Sequence, residues 1–422
     1  MSAFSKGTRG FSTGAKFLAL GAGALLLASC ASTPEAEEPS AEIPEGDGVF
    51  SVGTILPETG NLAFLGPPEI AGVKLAVQEI EEAGDAFPFE TKLTERDSGD
   101  ATTDIATTSA SELVQEKVDV VIGAASSGVS KTFIDQLVDA NIIQISPANT
   151  APEFTDYDDN GIYWRTAPSD VLQGRVLGNL MVGDGNENVG IIYINDPYGE
   201  GLKDNAKAAI ESAGGTVTSE VSYNAGDTVF TTQVDEILGA GADAVAVIAF
   251  EETASIVPEL VNTQGFDSSK VYFVDGNLSN DYSFPEGTLE GAKGTLPGNP
   301  AKDDFQARLK EIDSGLSDFS YAPESYDAVI VAALAAAQAG NDDPEAIKQN
   351  LESVSKEGEK CSTFADCLEL IEAGTDIDYE GVSGPITFDE NGDPTEAYIG
   401  IYQYGADNTY TLLNAEFGSL AG

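Results

Sequence analysis

The sequence contains no histidine, only three cysteines, and few basic residues for its length. The lack of histidine excludes histidine-activated nucleophiles and nearly all zinc sites, and three cysteines are too few for a thiolate zinc cluster. Lysine and arginine number 20 against 71 aspartates and glutamates, so the formal net charge is −51. Nucleic acids and anionic lipid surfaces are bound through clustered basic side chains, so neither is expected as a partner.

The remaining composition is that of a globular protein. Of 422 residues, 41% are hydrophobic and 22% are charged, and the length suits more than one domain or one large two-lobed domain. The acidic excess indicates a solvated surface suited to high salt, in which repulsion between carboxylates is screened. A dedicated cation-binding role is the alternative, and little in the sequence supports it.

The N-terminus has the pattern of an export signal. Basic residues precede an apolar stretch over residues 17–29, which is too short for a membrane span of ~20 residues. The stretch leads into Leu-Ala-Ser-Cys at residues 27–30, which resembles the bacterial lipoprotein signal. We therefore expect a signal peptide over residues 1–29 and a lipid on Cys30, with ordinary cleavage one or two residues later as the alternative.

The segment that follows the signal has the composition of a tether. Residues 30–48 are rich in proline, glutamate, serine and alanine and contain one large apolar residue, Ile43. Such a segment cannot bury enough apolar surface to fold. We expect a disordered acidic tether that holds the folded part away from the membrane.

Short apolar runs alternate with helical patterns through the body of the chain. A helix is predicted where apolar residues recur from Ile70 to Ile80, and similar segments follow later strands. Strands are predicted at residues 49–56, 118–122, 142–145, 189–194, 244–249 and 271–274. Alternation of this kind indicates the α/β class with parallel sheets.

The second half of the chain weakly repeats the first. Residues 118–122 and 142–145 are each followed by a polar loop, as are residues 244–249 and 271–274. Two similar lobes would turn these loops toward one cleft, because ligands bind at the carboxyl ends of the strands in open α/β sheets. The alternative is that any α/β unit shows this pattern.

Two loops in the first half suit a carboxylate ligand. Ser126 and Ser127 lie between a strand and a helix, whose first N–H groups and dipole attract anions. An ordinary serine helix cap is the alternative. Residues 146–150, Ser-Pro-Ala-Asn-Thr, follow the next strand and offer a hydroxyl, an N–H and a carbonyl.

Two loops in the second half complete the candidate cleft. Tyr198 follows a strand and can close over a ligand, and its loop lacks the glycine spacing of a dinucleotide site. Asp275 would attract an ammonium group, although an Asp-Gly pair is more often a turn. An enzyme based on Ser127 or Asp275 finds no support, since no histidine base or suitably spaced carboxylate pair is present. We expect no catalytic residue, cofactor or metal.

The two cysteines near the C-terminus suit a disulfide. Cys361 and Cys367 are close in sequence, and exported proteins form disulfides. Their spacing does not fit a redox motif or a metal knuckle. The pair therefore predicts a covalently closed small loop.

Five stretches, in this order and with this spacing, resemble the periplasmic leucine, isoleucine and valine receptors of branched-chain amino-acid ABC importers. The resemblance extends from about Val49 to the C-terminus. The stretches are residues 121–127 (VIGAASS), 145–153 (ISPANTAPE), 163–166 (YWRT), 198–202 (YGEGL) and 325–328 (SYDA).

The resemblance implies a ligand site built from both lobes. Ser127 and Thr150 would hold the ligand carboxylate, while Thr150, the carbonyl of Ala148 and Asp275 would hold the ammonium group. Asp275 stands where the family usually has glutamate, and Phe250 where a tyrosine is common, which leaves side-chain specificity open. The ligand-binding residues implied are Ser127, Ala148, Thr150, Tyr198, Asp275 and, by looser alignment, Phe64, Phe250 and Tyr326.

The resemblance also implies the fold, which is two doubly wound parallel-sheet lobes of the type I periplasmic-binding-protein class. Three hinge crossings are expected near residues 167–168, 296–300 and 384–385. The first lobe would comprise residues 49–167 and 300–384. The second lobe would comprise residues 168–299 and 385–422.

The function expected from the resemblance is a monomeric, extracytoplasmic receptor. It would be held on the bacterial cell membrane through its N-terminal lipid only. It would capture a small amino acid, branched-chain or otherwise hydrophobic, and deliver it to the permease subunits of an ABC importer. The alternative is a receptor of the same fold for an amide, urea or an aromatic acid.

Overall fold

The computed structural model describes residues 43–420. The predicted signal peptide and the lipid attachment site at Cys30 lie outside these residues, as does most of the predicted tether. The end of the tether belongs to the folded body, because the backbone N–H of Gly46 donates to Asn341 and those of Gly48 and Val49 donate to Asp342 at 2.8–2.9 Å. Residues 46–49 are therefore joined to the folded body, and the tether boundary predicted at residue 48 stays a prediction.

The described chain alternates strands and helices, as the apolar pattern predicts. The strands are β1 Val49–Ile55, β2 Glu90–Thr94, β3 Val120–Gly123, β4 Ile143–Ser146, β5 Tyr163–Arg165, β6 Asn188–Ile194, β7 Thr216–Tyr223, β8 Ala244–Ile248, β9 Val271–Phe273, β10 Lys293–Pro297, β11 Glu359–Cys361, β12 Ile377–Tyr379, β13 Glu396–Tyr404 and β14 Tyr410–Ser419. The helices are α1 Gly66–Glu82, α2 Ile105–Glu116, α3 Ser127–Ala140, α4 Asp170–Gly183, α5 Pro197–Ser212, α6 Thr231–Gly239, α7 Thr253–Val257, α8 Asp303–Ile312, α9 Ala322–Ala339, α10 Pro344–Leu351 and α11 Phe364–Glu372.

Two main sheets form two lobes with the same winding. The sheet of the first lobe has the order β2-β1-β3-β4-β5, and all of its strands are parallel. The sheet of the second lobe has the order β7-β6-β8-β9-β10, also parallel, and β13 and β14 extend it as an antiparallel edge. The predicted fold class is confirmed. The repeated order explains the weak internal repeat in the sequence.

Each sheet is covered by helices, and this is why its central strands are apolar on both faces. All residues of β3, β4 and β8 are buried. In the first lobe, α9 packs against α1, and its fifteen residues from Ala322 to Ala336 are buried. In the second lobe, α4 packs against α5. No helix within residues 43–420 is both long and apolar enough to cross a membrane.

The chain crosses between the lobes after β5, after β10 and before β13. Ile386 and Phe388 belong to the apolar core of the first lobe, beyond the crossing predicted at residues 384–385. Asp393 pairs with Arg165 at the end of β5. We therefore propose that the third crossing lies between Asp393 and Glu396, where β13 begins.

Cys361 is the last residue of β11 in the small β11–β12 sheet of the first lobe, and Cys367 lies in α11. The Sγ atoms of Cys361 and Cys367 are 2.11 Å apart and their Cα atoms are 5.3 Å apart. This is the geometry of a disulfide. Whether the pair is oxidised in the cell stays a prediction.

Candidate ligand-binding site

A narrow cavity of about 10 Å³ lies between the lobes. It is at the carboxyl ends of β3 and β4 on one side and of β6, β8 and β9 on the other. This is the position of the topological switch point at which ligands bind in doubly wound sheets. The lining residues are Leu62, Leu65, Ala125, Ser126, Ser127, Ala148, Tyr198, Phe250, Asp275, Gly276 and Tyr321.

The N-terminus of α3 forms the anion-binding side of the cavity. Ser126 caps the helix by accepting a hydrogen bond from the Val129 N–H at 3.3 Å. Ser127 is the first helical residue and is buried, and its Oγ accepts from the Ala151 N–H at 3.4 Å. The helix has 14 residues, so its free N–H groups and dipole favour a carboxylate at this end.

The loop after β4 is locked against the loop after β3. The Ser146 hydroxyl donates to the Ala124 carbonyl at 2.7 Å, and the Asn149 side-chain amide donates to the Ala125 carbonyl at 2.8 Å. All of these groups are buried. Buried, satisfied bonds of this kind hold Ala148 in place in the cavity wall.

A buried ion pair stabilises the loop after β4 on the side away from the cavity. Arg165 makes two hydrogen bonds to Asp393 at 2.6 and 2.7 Å and donates to the Ala151 carbonyl at 2.8 Å. The Arg165 side chain is fully buried, so the bidentate geometry offsets its desolvation. The pair therefore ties the loop that carries Thr150 to the third interlobe crossing.

Thr150 and Asp170 carry unsatisfied polar atoms beside the cavity. The Asp170 N–H donates to the Thr150 carbonyl at 2.7 Å. All three side-chain oxygens, the Thr150 hydroxyl and the two of the Asp170 carboxyl, are buried, and none makes a well-aligned hydrogen bond to another described residue. The Thr150 hydroxyl nevertheless lies close enough to the Asp170 carboxyl to favour its charged form. Burial and then the charge of Asp275 raise the pKa of Asp170 well above its ordinary value, while the adjacent Thr150 hydroxyl opposes the rise.

Asp275 is held by three donors from other elements. The hydroxyls of Tyr198 and Tyr321 donate to its two carboxylate oxygens at 2.7 Å each, and the Gln173 amide donates at 2.9 Å. Burial raises the pKa of Asp275, and these bonds oppose the rise because they favour the charged form. Asp275 thus presents a fixed carboxylate to the cavity.

The remaining wall is apolar and aromatic. The rings of Tyr198 and Phe250 stack with centroids 5.4 Å apart, and both line the cavity. A Cβ on Gly276 would lie 2.8 Å from the Phe250 ring, so only glycine allows this ring position. Leu62 and Leu65 face the ring pair from the first lobe.

The structure brings six of the eight predicted site residues together. Ser127, Ala148, Tyr198, Phe250 and Asp275 line the cavity, and Thr150 lies buried in the loop that bears Ala148.

Two of the three residues placed by looser alignment lie elsewhere. Tyr326 is buried in the core of the first lobe, where its hydroxyl donates to Glu79 at 2.5 Å. Its expected place in the cavity wall is taken by Tyr321, five residues earlier. Phe64 is half-buried and does not line the cavity, whereas its neighbours Leu62 and Leu65 do.

Sequence reasoning missed three polar residues of the site, which are Asp170, Gln173 and Tyr321. Asp170 lies in the first turn of a helix, where acidic residues are common because they interact favourably with the helix dipole. It is also one of 71 acidic residues, so nothing in the sequence distinguishes it. Gln173 and Tyr321 meet Asp275 only through tertiary contacts between segments far apart in sequence. Ser169, directly before Asp170, caps the start of α4 by accepting a hydrogen bond from the Val171 N–H.

Comparisons with known proteins agree with this architecture. The chain matches the sequence profile of the periplasmic binding protein family over residues 50–408. It is 27% identical over 373 residues to the Leu/Ile/Val-binding protein homolog 1 of Brucella suis, which covers 86% of this chain and 92% of the relative.

Solved structures share the fold. A leucine binding protein from Thermotoga maritima matches with a TM-score of 0.72 and 21% identity, covering 87% of this chain and 98% of the other. A solute binding protein from R. palustris in complex with benzoate matches with a TM-score of 0.70 and 18% identity, covering 89% and 98%. From the extent of the profile match, the chain belongs to the periplasmic binding protein family.

Proposed function

We propose that this protein is an extracytoplasmic receptor that captures an α-amino acid with an apolar side chain between its lobes and delivers it to an ABC importer. The observation that carries the proposal is the group of buried, unsatisfied polar atoms on Thr150 and Asp170 beside Asp275. The names of similar proteins, among them a Leu/Ile/Val-binding homologue and a leucine binding protein, support the same ligand class.

The charge of the site favours a ligand with an ammonium group. The carboxyl groups of Asp170 and Asp275 are both buried, and the charge of Asp275 acts on Asp170. The nearby Arg165 already pairs with Asp393 and is engaged on the far side of the loop. A buried charge without a counter-ion is strongly unfavourable, so a cation in the cavity would stabilise both carboxylates.

The opposite side of the cavity favours a carboxylate. Ser127 and the N-terminus of α3 offer a hydroxyl and free N–H groups without any basic side chain among the lining residues. A zwitterion satisfies both sides at once. Benzoate would leave the two carboxylates unpaired and add a third negative charge, and a neutral amide would leave the helix N-terminus without an anion.

The apolar wall indicates where the ligand side chain lies. Leu62, Leu65 and the Phe250 ring lie within the same cavity and cannot donate or accept hydrogen bonds through their side chains. Burial of an apolar ligand side chain against them contributes about 25 cal/mol per Å² of surface removed from water. This supports a hydrophobic amino acid over serine- or aspartate-like ligands.

The test is calorimetric titration with four ligands that share a size range. Leucine carries both charges, leucinamide lacks the carboxylate, 4-methylpentanoate lacks the ammonium group, and benzoate replaces the amino acid by an aromatic acid. We expect saturable binding of leucine and losses of at least tenfold for the other three. Preferential binding of benzoate or of leucinamide would contradict the proposal and favour the aromatic-acid or amide receptor.

Capture without chemistry is part of the proposal. The leucine recovered after prolonged incubation should be unchanged, as judged by mass spectrometry. A modified product would instead support an enzyme. We also propose that Cys30 anchors the chain, that Cys361 and Cys367 form a disulfide outside the cytoplasm, and that the receptor acts as a monomer.

A further inference from the structure

A second and larger cavity, of about 270 Å³, lies at the hinge. We call it the hinge cavity. It is lined by the crossing segment 296–301, by residues 317–324 before and at the start of α9, and by Tyr402 and Tyr410 of the edge hairpin. Tyr321 borders both cavities, because its hydroxyl donates to Asp275 while the residue also lines the hinge cavity. Nothing in the proposed amino-acid site uses this space.

The hinge cavity contains a buried carboxyl group without a side-chain partner. Glu324 is 2% exposed and lines the cavity. Among the described residues no side chain donates a hydrogen bond to its carboxyl, and burial raises its pKa well above the ordinary value. Gly298 has φ +91°, and a Cβ there would collide with the Glu324 carboxyl. The backbone thus leaves room for this side chain.

A second carboxylate and a free hydroxyl lie in the same wall. Asp318 accepts hydrogen bonds from the Ser320 N–H at 2.7 Å and from the Tyr410 hydroxyl at 3.0 Å. The Ser320 Oγ is buried and has no hydrogen-bond partner among the described residues. Buried polar atoms are normally satisfied, so the Ser320 hydroxyl indicates a missing partner in the cavity that Glu324 also lines.

Aromatic rings surround these acidic groups. The lining includes Phe319, Tyr321, Tyr402 and Tyr410. Burial and then the charge of Glu324 raise the pKa of Tyr402. Burial and then Asp275 raise the pKa of Tyr321, and the charge of Glu324 adds a smaller contribution. The carboxyl therefore acts on both rings across a shared space.

We propose that the hinge cavity binds a small organic ammonium ion. Carboxylates neutralise the cation, and the faces of tyrosine and phenylalanine rings attract it through their quadrupoles. A metal ion fits less well, because no group of three or more potential metal ligands occurs within residues 43–420. The cavity lies just below the ~300–1,000 Å³ of drug-sized sites, which suits a small ligand.

Ligand binding in the hinge cavity would be coupled to the relative arrangement of the two lobes. Residues 299–301 belong to a crossing, Tyr402 to the second lobe and Glu324 to the helix at the centre of the first lobe. A cation that contacts all three segments stabilises one arrangement of the lobes over others. By thermodynamic linkage, the cation then changes the affinity for a ligand in the interlobe cavity, and that ligand changes the affinity for the cation by the same factor.

The experiment uses choline as the probe and its uncharged isostere, in which a tert-butyl group replaces the trimethylammonium group. We expect choline to bind at one site by calorimetry and the isostere to bind at least about tenfold more weakly. Burial raises the pKa of Glu324 and a bound cation would lower it again, so cation binding should release a proton at pH values below the raised pKa. The measured heat should then depend on the ionisation enthalpy of the buffer.

Two variants and one control locate the site. Glu324→Gln keeps the shape and should weaken choline about tenfold or more, and Tyr402→Leu removes one ring and should weaken it less. Thermal unfolding and an amino-acid titration show that each variant is folded. Asp170→Asn should keep choline binding, because it alters only the interlobe site.

Four outcomes would overturn the inference. They are no saturable choline binding to the parent, equal affinity for the isostere, unchanged affinity in folded Glu324→Gln and Tyr402→Leu, and loss of choline binding in Asp170→Asn. The last would place choline in the interlobe cavity. Failure of leucine to bind while choline still depends on Glu324 would refute the amino-acid proposal alone.

Discussion

Replacing Asp170 by asparagine should lower the affinity for an amino acid without lowering the stability of the ligand-free protein. The carboxyl is buried, makes no well-aligned hydrogen bond to another described residue and lies in the field of Asp275. In the free protein it is an unfavourable group, and with an ammonium group bound it becomes a counter-ion. The substitution keeps the shape and removes the charge, so it should act in opposite directions on the two states.

The magnitude follows from the burial of the pair. Removing one partner of a buried, hydrogen-bonded charge pair weakens binding by about 2–4 kcal/mol. At about 1.4 kcal/mol per decade, this is roughly a 30- to 1,000-fold loss of affinity for leucine. The matched control is Asp139→Asn, the same chemical change on the exposed C-terminal turn of α3, and it should leave the affinity within twofold.

The pH dependence gives the same argument a second readout. Burial holds the pKa of Asp170 above its ordinary 3.8, so the folded, empty protein keeps a proton that the unfolded chain has lost. The stability of the empty protein should therefore fall as pH rises above about 3.8 toward the raised pKa. Ammonium binding needs the carboxylate, so leucine affinity should rise over the same interval. Burial raises the pKa of Asp196 to about 7. Asp196 is present in both the parent and Asp170→Asn, so its contribution to the pH dependence cancels when the two are compared.

The assay is titration calorimetry between pH 4 and 8 on the parent, Asp170→Asn and Asp139→Asn, with urea unfolding of the same three proteins. Asp170→Asn should show a flatter dependence of affinity on pH and equal or greater stability at neutral pH. An affinity that is unchanged within twofold and a pH profile identical to that of the parent would refute the role of Asp170. A parallel loss of stability and affinity would indicate a purely structural role.

Three further predictions concern support and anchoring. Asp393→Asn leaves the buried Arg165 guanidinium without its counter-ion and should lower the free energy of unfolding by about 3–5 kcal/mol in urea titrations, and a loss below 1 kcal/mol would contradict the proposed support of the Thr150 loop. The double variant Cys361→Ser, Cys367→Ser should lose about 2 kcal/mol of stability but keep its leucine affinity, because the pair closes a short loop away from both cavities, and a large change in affinity would disprove this separation. Cys30→Ser should release the mature chain into the medium, as measured by fractionation and immunoblotting, and retention on the membrane would contradict the lipoprotein signal.

The sequence by itself determined the fold class and most of the strand positions. Strands such as β8 are apolar along their whole length because helices cover both faces of a parallel sheet, and this leaves a run that is readable without any structure. The predicted strand at residues 244–249 and the observed β8 Ala244–Ile248 differ by one residue. Local motifs at Ser127, Ala148, Tyr198 and Asp275 were readable for a related reason, since each directly follows a strand or begins the next helix.

Only the tertiary structure decided which side chains meet. Tyr326 has the right residue type near the right place, but one and a half helical turns separate it from Tyr321 and put it in the core of the first lobe. Asp170 and Asp275 are far apart in sequence, and a carboxylate becomes distinctive only when burial removes its water and places another beside it. Burial and proximity are properties of the packed chain, so the two acids and the hinge cavity around Glu324 emerged only with the fold.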